Sequence, residues 1–119
     1  MDYQKAETLF NSHQYDLSFK SFTEIAEDES RNPFERSYAY GMLGVIVSGF
    51  APYLDEDETG LKYFIQSLKL NPNNVGTLLN IFHSYGESPS MHSDKTLFEE
   101  SYVKLTRELS KELTDEQLK

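Results

Sequence analysis

Cysteine is absent from the 119-residue chain, which removes several kinds of chemistry at once. No disulfide framework, thiol nucleophile or thiolate metal site can be built. The composition suits a reducing compartment, and the cytoplasm is the expected location. Glycine and proline are scarce, at 6 and 4 residues, which argues against low-complexity or disordered character. Positive charge is scarce too: Lys and Arg number 11 against 20 Asp and Glu, a formal net charge of −9. A field of that sign repels phosphate backbones and anionic lipid surfaces. Nucleic acid and membranes are therefore not expected as direct partners, whereas a basic protein is. Long apolar runs are also missing. The longest, residues 38–50, falls short of the ~20 residues a bilayer span needs and contains Gly41, Gly44 and Gly49. It reads as a buried central helix. The opening Met1-Asp2-Tyr3-Gln4-Lys5-Ala6-Glu7 is polar and amphipathic, unlike a basic stretch followed by an apolar one, so no secretory signal is expected.

Hydrophobic residues make up 38% of the chain and aromatics 13%, enough for a single core at the usual ~100 to 200 residues of one domain. Apolar spacing and punctuation predict an all-α domain with helices over 2–13, 15–29, 33–49, 56–70, 74–86 and 93–112. Asn32-Pro33-x-Glu35 reads as an N-cap, a first-turn proline and a capping acid, and Pro52, Pro72 and Pro89 fall between helices. Val45-Ile46-Val47 leans toward strand, a preference that packing overrides in a buried helix. The sixth helix carries Leu97, Phe98, Ser101, Tyr102, Leu105 and Leu109 at helical spacing. No proline signal leads on from it to a further unit, so it is expected to act as an end cap with a solvated, charged outer face.

Two segments share a register. Gly60, Phe64 and Ser67 are followed by Pro72, and Ser18, Phe22 and Ile25 by Pro33 after a longer exit. Ahead of the first of these, Tyr40-x2-Leu43-Gly44-x2-Val47 fills the place of a partner helix, and Leu78-x2-Ile81-Phe82-x2-Tyr85 repeats that pattern later. The combination resembles the tetratricopeptide repeat, with Tyr40 for the family's Trp and Val47 for its Tyr. Ala6 and Leu9 alone match in the first helix. Phe22 and Phe64 lie 42 positions apart against a standard period of roughly 34. Insertions near 29–32 and in 51–58 account for the difference. The resemblance implies one domain over 1–119, a right-handed stack of about three antiparallel hairpins (2–29, 33–70, 74–112) with a short C-terminal tail.

Motifs for chemistry are thin. Asp55-x-Asp57-x-Thr59-Gly60 matches the opening of a calcium-binding EF-hand loop, but the closing acid is replaced by Gln66 and Lys62 brings positive charge. A solvated acidic turn is the expected reading. His13, His83 and His92 have no paired ligand spacing, no acid lies in an apolar run, and no serine has a nucleophile-elbow setting. Neither an enzyme nor a bound cofactor or metal is expected.

Surface remains. In the family, the first helix of each hairpin lines a concave groove that receives segments of partner proteins. The resemblance places Tyr3, Glu7, Phe10 and Asn11 in this groove, with Tyr38, Met42 and Val45 from the second hairpin and Asn80 and His83 from the third. Val45 and Met42 suit packing against the neighbouring hairpin equally well. Members that grip a C-terminal carboxylate use basic residues and Asn. Here Tyr3, Glu7, Met42, Gly76, Leu79 and His83 occupy those positions, and the basic clamp is absent. An apolar, aromatic groove with an acidic rim (Glu7, Glu24, Glu27, Asp28, Glu29, Asp55, Glu56, Asp57 and Glu58) would suit an amphipathic basic helix or a basic protein face. The expected function is a non-catalytic interaction module, most concretely a small acidic inhibitor of the immunity-protein or dedicated-chaperone type, acting as a monomer or weak homodimer. An adaptor or assembly subunit of a larger complex is the alternative.

Overall fold

A computed structural model describes residues 3–56 and 60–87, together with Val103 and Arg107. The helix expected over 93–112 lies almost wholly outside the described residues. Five α-helices follow one another: α1 (Tyr3–Asn11), α2 (Tyr15–Glu27), α3 (Pro33–Gly49), α4 (Leu61–Leu70) and α5 (Val75–Glu87). A 3₁₀ turn at Pro52–Leu54 lies between α3 and α4. The fold is all-α, and among the described residues there is no strand. Each helix packs on the next, and α5 also returns to α3.

Local chemistry explains the boundaries. At the start of α3 the Asn32 side chain accepts the Phe34 amide at 2.7 Å, Pro33 takes the first helical position and Glu35 sits in the first turn. At the start of α5, Asn74 Oδ1 accepts the Thr77 amide at 3.2 Å. Helix α1 closes with a paired return: the His13 amide bonds Phe10 O at 3.0 Å and the Gln14 amide bonds Leu9 O at 2.9 Å. That is the Schellman arrangement, and His13 holds its left-handed position at φ 62°.

Helix α4 begins at Leu61 rather than near 56. Gly60 precedes it at φ 71°, a conformation glycine adopts without steric cost. Its Cα faces the Gly44 backbone so closely that a Cβ would collide with Gly44 O. Asp55, just ahead of the helix expected over 56–70, accepts Lys62 Nζ and the Tyr63 hydroxyl, each at 2.7 Å.

The core collects Ala6, Phe22, Ile25, Ala26, Ala39, Leu43 and Ile46, all at most 1% exposed. Phe64, Leu78 and Ile81 are buried beside them. Small residues set the helix spacing. Ser18 Oγ donates to Ala6 O at 2.9 Å between α1 and α2. Between α3 and α4, Gly60 meets Gly44, and a Cβ on Gly44 would overlap the Phe64 ring. Ser37 and Ser67 exchange hydrogen bonds reciprocally, each hydroxyl reaching the other's carbonyl at 2.7 and 2.8 Å. The pairs 37 with 67 and 44 with 60 step in opposite directions along the two helices, so α3 and α4 run antiparallel. Thr77 Oγ1 joins Ser67 Oγ at 2.7 Å and Asn74 Nδ2 donates to Ser37 Oγ at 2.9 Å. This network ties α5 to both helices. Among the described residues no buried side-chain nitrogen or oxygen lacks a partner.

Gly44→Ala should therefore cost about 1 to 3 kcal/mol through overpacking, although alanine outranks glycine in a helix interior by about 1 kcal/mol. Phe64→Ala should cost about 3 to 5 kcal/mol. In the Phe64→Ala background the Gly44→Ala change should turn neutral or stabilising, because the ring it strikes is gone. Urea denaturation of the four proteins checks this; an equal cost of Gly44→Ala in both backgrounds would contradict the packing described.

Candidate functional site

Tyr38 is the hub of the surface shared by α1 and α3. Its ring meets Tyr3 edge-on at 5.2 Å and Phe22 at 6.1 Å, and its hydroxyl donates to Glu7 Oε1 at 2.9 Å. Burial and then the bond to Glu7 hold the Tyr38 phenol far above its usual range. It remains a neutral donor under all physiological conditions. Tyr3, Glu7 and Tyr38 thus form one unit at the beginnings of α1 and α3.

Beside it, a cleft of about 150 Å³ opens between α3 and α5, lined by Tyr38, Gly41, Met42, Gly76, Thr77 and Asn80. Two backbone features make room for it. Gly41 has no side chain to fill the floor, where a Cβ would stand 2.8 Å from Thr77 Oγ1, and the neighbouring wall is Gly76. Met42 is half-buried: it packs against the core cluster and also faces the cleft. The Asn80 amide is half-buried at the edge and makes no hydrogen bond among the described residues. The opening can accept an apolar side chain, with an amide beside it for a peptide group.

Three of the groove residues named from the sequence, Tyr38, Met42 and Asn80, line this cleft, with Tyr3 and Glu7 adjoining through Tyr38. Phe10 does not share it. Its ring packs edge-on against Phe50 at 5.1 Å and Tyr15 at 5.7 Å, at the other end of α1. Asn11 is exposed at the close of α1 and Val45 is half-buried on α3. The His83 backbone belongs to α5, and its side chain lies outside the described residues.

The acidic residues form two groups rather than one rim. Tyr53 donates to Asp16 Oδ1 at 2.6 Å, which brings the segment after α3 to the start of α2. Glu24 and Glu27 lie in its last turn, and Asp28 and Glu29 just beyond it. Asp16 and Glu27 are separated along that helix by about 16 Å at 1.5 Å per residue. Cations interrupt both groups. Asp28 accepts the Ser30 hydroxyl at 2.6 Å and the Ser30 amide at 3.1 Å, and Arg31 lies 3.5 Å away. The Ser30 bonds foremost hold its carboxyl below the usual range. Arg31 also meets Glu35 at 3.4 Å, and Arg36 Nε donates to Ala26 O at 2.9 Å. Glu24, Glu27, Glu29 and Glu56 are exposed, while Asp57 and Glu58 lie outside the described residues.

In the loop that resembles a calcium site, the Lys62 ammonium occupies Asp55 Oδ2 at 2.7 Å, a cation already in the place where a metal would need a free carboxylate. Among the described residues no three His, Asp or Glu side chains converge to hold a metal. Two arrangements had no counterpart in the sequence reading: the Ser37, Ser67, Thr77 and Asn74 network, and the aromatic cluster around Phe10. Hydroxyl residues recurring at small positions on helix faces were the available signal for the first. No family model, curated protein or solved structure matches the chain.

The Tyr38 environment has an alkaline signature. Because its folded pKa is raised, the stability it contributes is full below the unfolded value of about 10 and is lost as pH rises through the folded value. Phenolate absorbance should show the Tyr38 ionisation withheld until the fold opens, while exposed Tyr53, raised chiefly by its bond to Asp16, ionises late without unfolding; Tyr38→Phe should abolish the step that coincides with unfolding. Ionisation of Tyr38 in the usual tyrosine range without unfolding would contradict the half-buried bond to Glu7.

Proposed function

We propose that the chain is a non-catalytic protein-binding module built of tetratricopeptide-like hairpins, and that it works by occupying a basic partner protein. The recurring contact of small residues supports the repeat reading. Ala6 with Ser18 and Gly44 with Gly60 occupy equivalent places in successive helix pairs, and in each the phenylalanine four residues after the second member, Phe22 or Phe64, is fully buried. The insertion between 44 and 60 takes the form of the Pro52–Leu54 turn and its exit.

The observation that carries the function is the open cleft between α3 and α5. It combines apolar walls with the Asn80 amide, in a chain of net charge −9. Apolar contact in the cleft would slow dissociation, whereas the excess negative charge would speed encounter with a positive surface. In its most concrete form this is a small inhibitor that masks the working face of a basic protein, in the manner of an immunity protein or dedicated chaperone. Asp28 already serves Ser30 and Arg31, so Glu24, Glu27 and Glu29 are the acids at that end with charge free to steer.

Affinity capture from the native lysate, followed by kinetics on the captured protein, tests the reading. The partner should be basic, and raising salt should lower its association rate. Replacing Glu24, Glu27 and Glu29 together with Lys should slow association, while Met42→Lys, which fills the cleft with charge, should speed dissociation at least about tenfold. An acidic partner, or an affinity indifferent to salt, would contradict the charge argument. Unchanged dissociation from Met42→Lys would remove the cleft from the interface.

A further inference from the structure

At the end of the molecule away from the cleft, three of the chain's exposed large apolar side chains gather: Leu17 at 52%, Phe50 at 48% and Tyr53 at 71% exposure. They are connected. Tyr15 stacks obliquely on Phe50 with ring centroids 5.2 Å apart, and Tyr15, Leu17 and Tyr53 line one open cleft of about 250 Å³ with His13 and Asp16. Two hydrogen bonds hold its aromatic walls. Tyr53 donates to Asp16 Oδ1 at 2.6 Å across 37 positions of sequence, and the Tyr15 hydroxyl meets His13 Nδ1 at 2.7 Å. The left-handed backbone at His13 places that imidazole beside the Tyr15 ring at 5.8 Å. A tyrosine with most of its ring in solvent gains little by burial. Here its hydroxyl is tethered, so the ring face is presented in a fixed place.

We infer that this cleft receives an arginine side chain projecting from the basic partner. The chemistry is complementary on each side of the guanidinium: aromatic faces of Tyr53 and Tyr15 attract a delocalised cation, and the Asp16 carboxylate at the rim has an oxygen not used by Tyr53. Leu17 supplies an apolar wall for the methylene stem. Lys62 lies nearby in sequence but is bound to Asp55, and Lys20, one turn beyond Asp16, makes no ion pair among the described residues. A second copy of this chain is the less suited occupant, because self-association would bring together two molecules of net charge −9. The assignment rests on the proposal that the partner is basic, and it adds a site distinct from the cleft between α3 and α5.

Titration of the ¹⁵N-labelled protein with two short capped peptides of equal charge, one rich in arginine and one in lysine, tests it. The arginine peptide should shift the amides of Tyr15, Asp16, Leu17 and Tyr53 saturably and bind several-fold more tightly than the lysine peptide. Tyr53→Ala should weaken the arginine peptide about three- to fivefold, and Asp16→Asn should weaken it as well. Equal binding of both peptides, with shifts spread over the acidic surface, would overturn the arginine site yet leave a basic partner in place. Binding of neither peptide would overturn both. Shifts at Phe50 and Tyr53 that depend on protein concentration alone would instead assign the patch to self-association and reject the proposal. The peptide comparison on unaltered protein keeps the test decisive even if a variant folds poorly.

Discussion

Helices α3 and α4 approach as closely as they do because position 44 carries no side chain. The Phe64 ring lies over the bare Gly44, and Gly60 turns the chain into α4 directly against the Gly44 backbone. Further along the same interface, Ser37 and Ser67 are small enough to let each hydroxyl bond the opposite carbonyl. Most other elements are positioned by this junction. Asn74 and Thr77 anchor α5 to its serines, so the cleft between α3 and α5 inherits its width from the α3–α4 spacing. On the other side, Leu43 and Ile46 of α3 enter the core with Phe22 and Ile25 of α2. Apolar burial supplies most of the driving force, whereas the small residues decide the distance at which it is realised.

The helices were legible because their signals are local. Asn32-Pro33 acts as the cap that its position indicates, and the paired register of Ser18 with Phe22 and Gly60 with Phe64 marked residues that prove to be buried. What could not be read depends on where loops land in space. Nothing near Tyr53 announces that its hydroxyl reaches Asp16, and Asp55 turns from an acidic-loop residue into the partner of Lys62 and Tyr63 only once the chain bends at Gly60. Phe10 shows the same limit. It shares a helical face with Tyr3, but that face meets the beginning of α3 at Tyr38 and the chain just past its end at Phe50. One stripe on α1 therefore serves two separate surfaces. The left-handed closure at His13 was invisible for a different reason: the position is usually glycine, and here a histidine fills it.

Placement rather than composition gives the acidic character its meaning. The groups at the two ends of α2 are each partly neutralised, by Arg31 at one and by Lys62 at the other, so the acids among the described residues form no uniform negative belt. What remains are a cleft with apolar walls, an exposed aromatic end and a long-range negative field. In the proposed association these would suit different stages: the field would act on encounter, and the two clefts on retention.

Native-state amide hydrogen exchange tests the central claim, that the α3–α4 junction holds the rest in place. The account predicts that amides of Leu43, Val47, Phe64 and Leu68 exchange only through global unfolding, and that those of α1 open earlier and locally. If instead α4 opens by itself while the α1–α2 pair stays protected to the global limit, the junction is not the element on which the other helices depend.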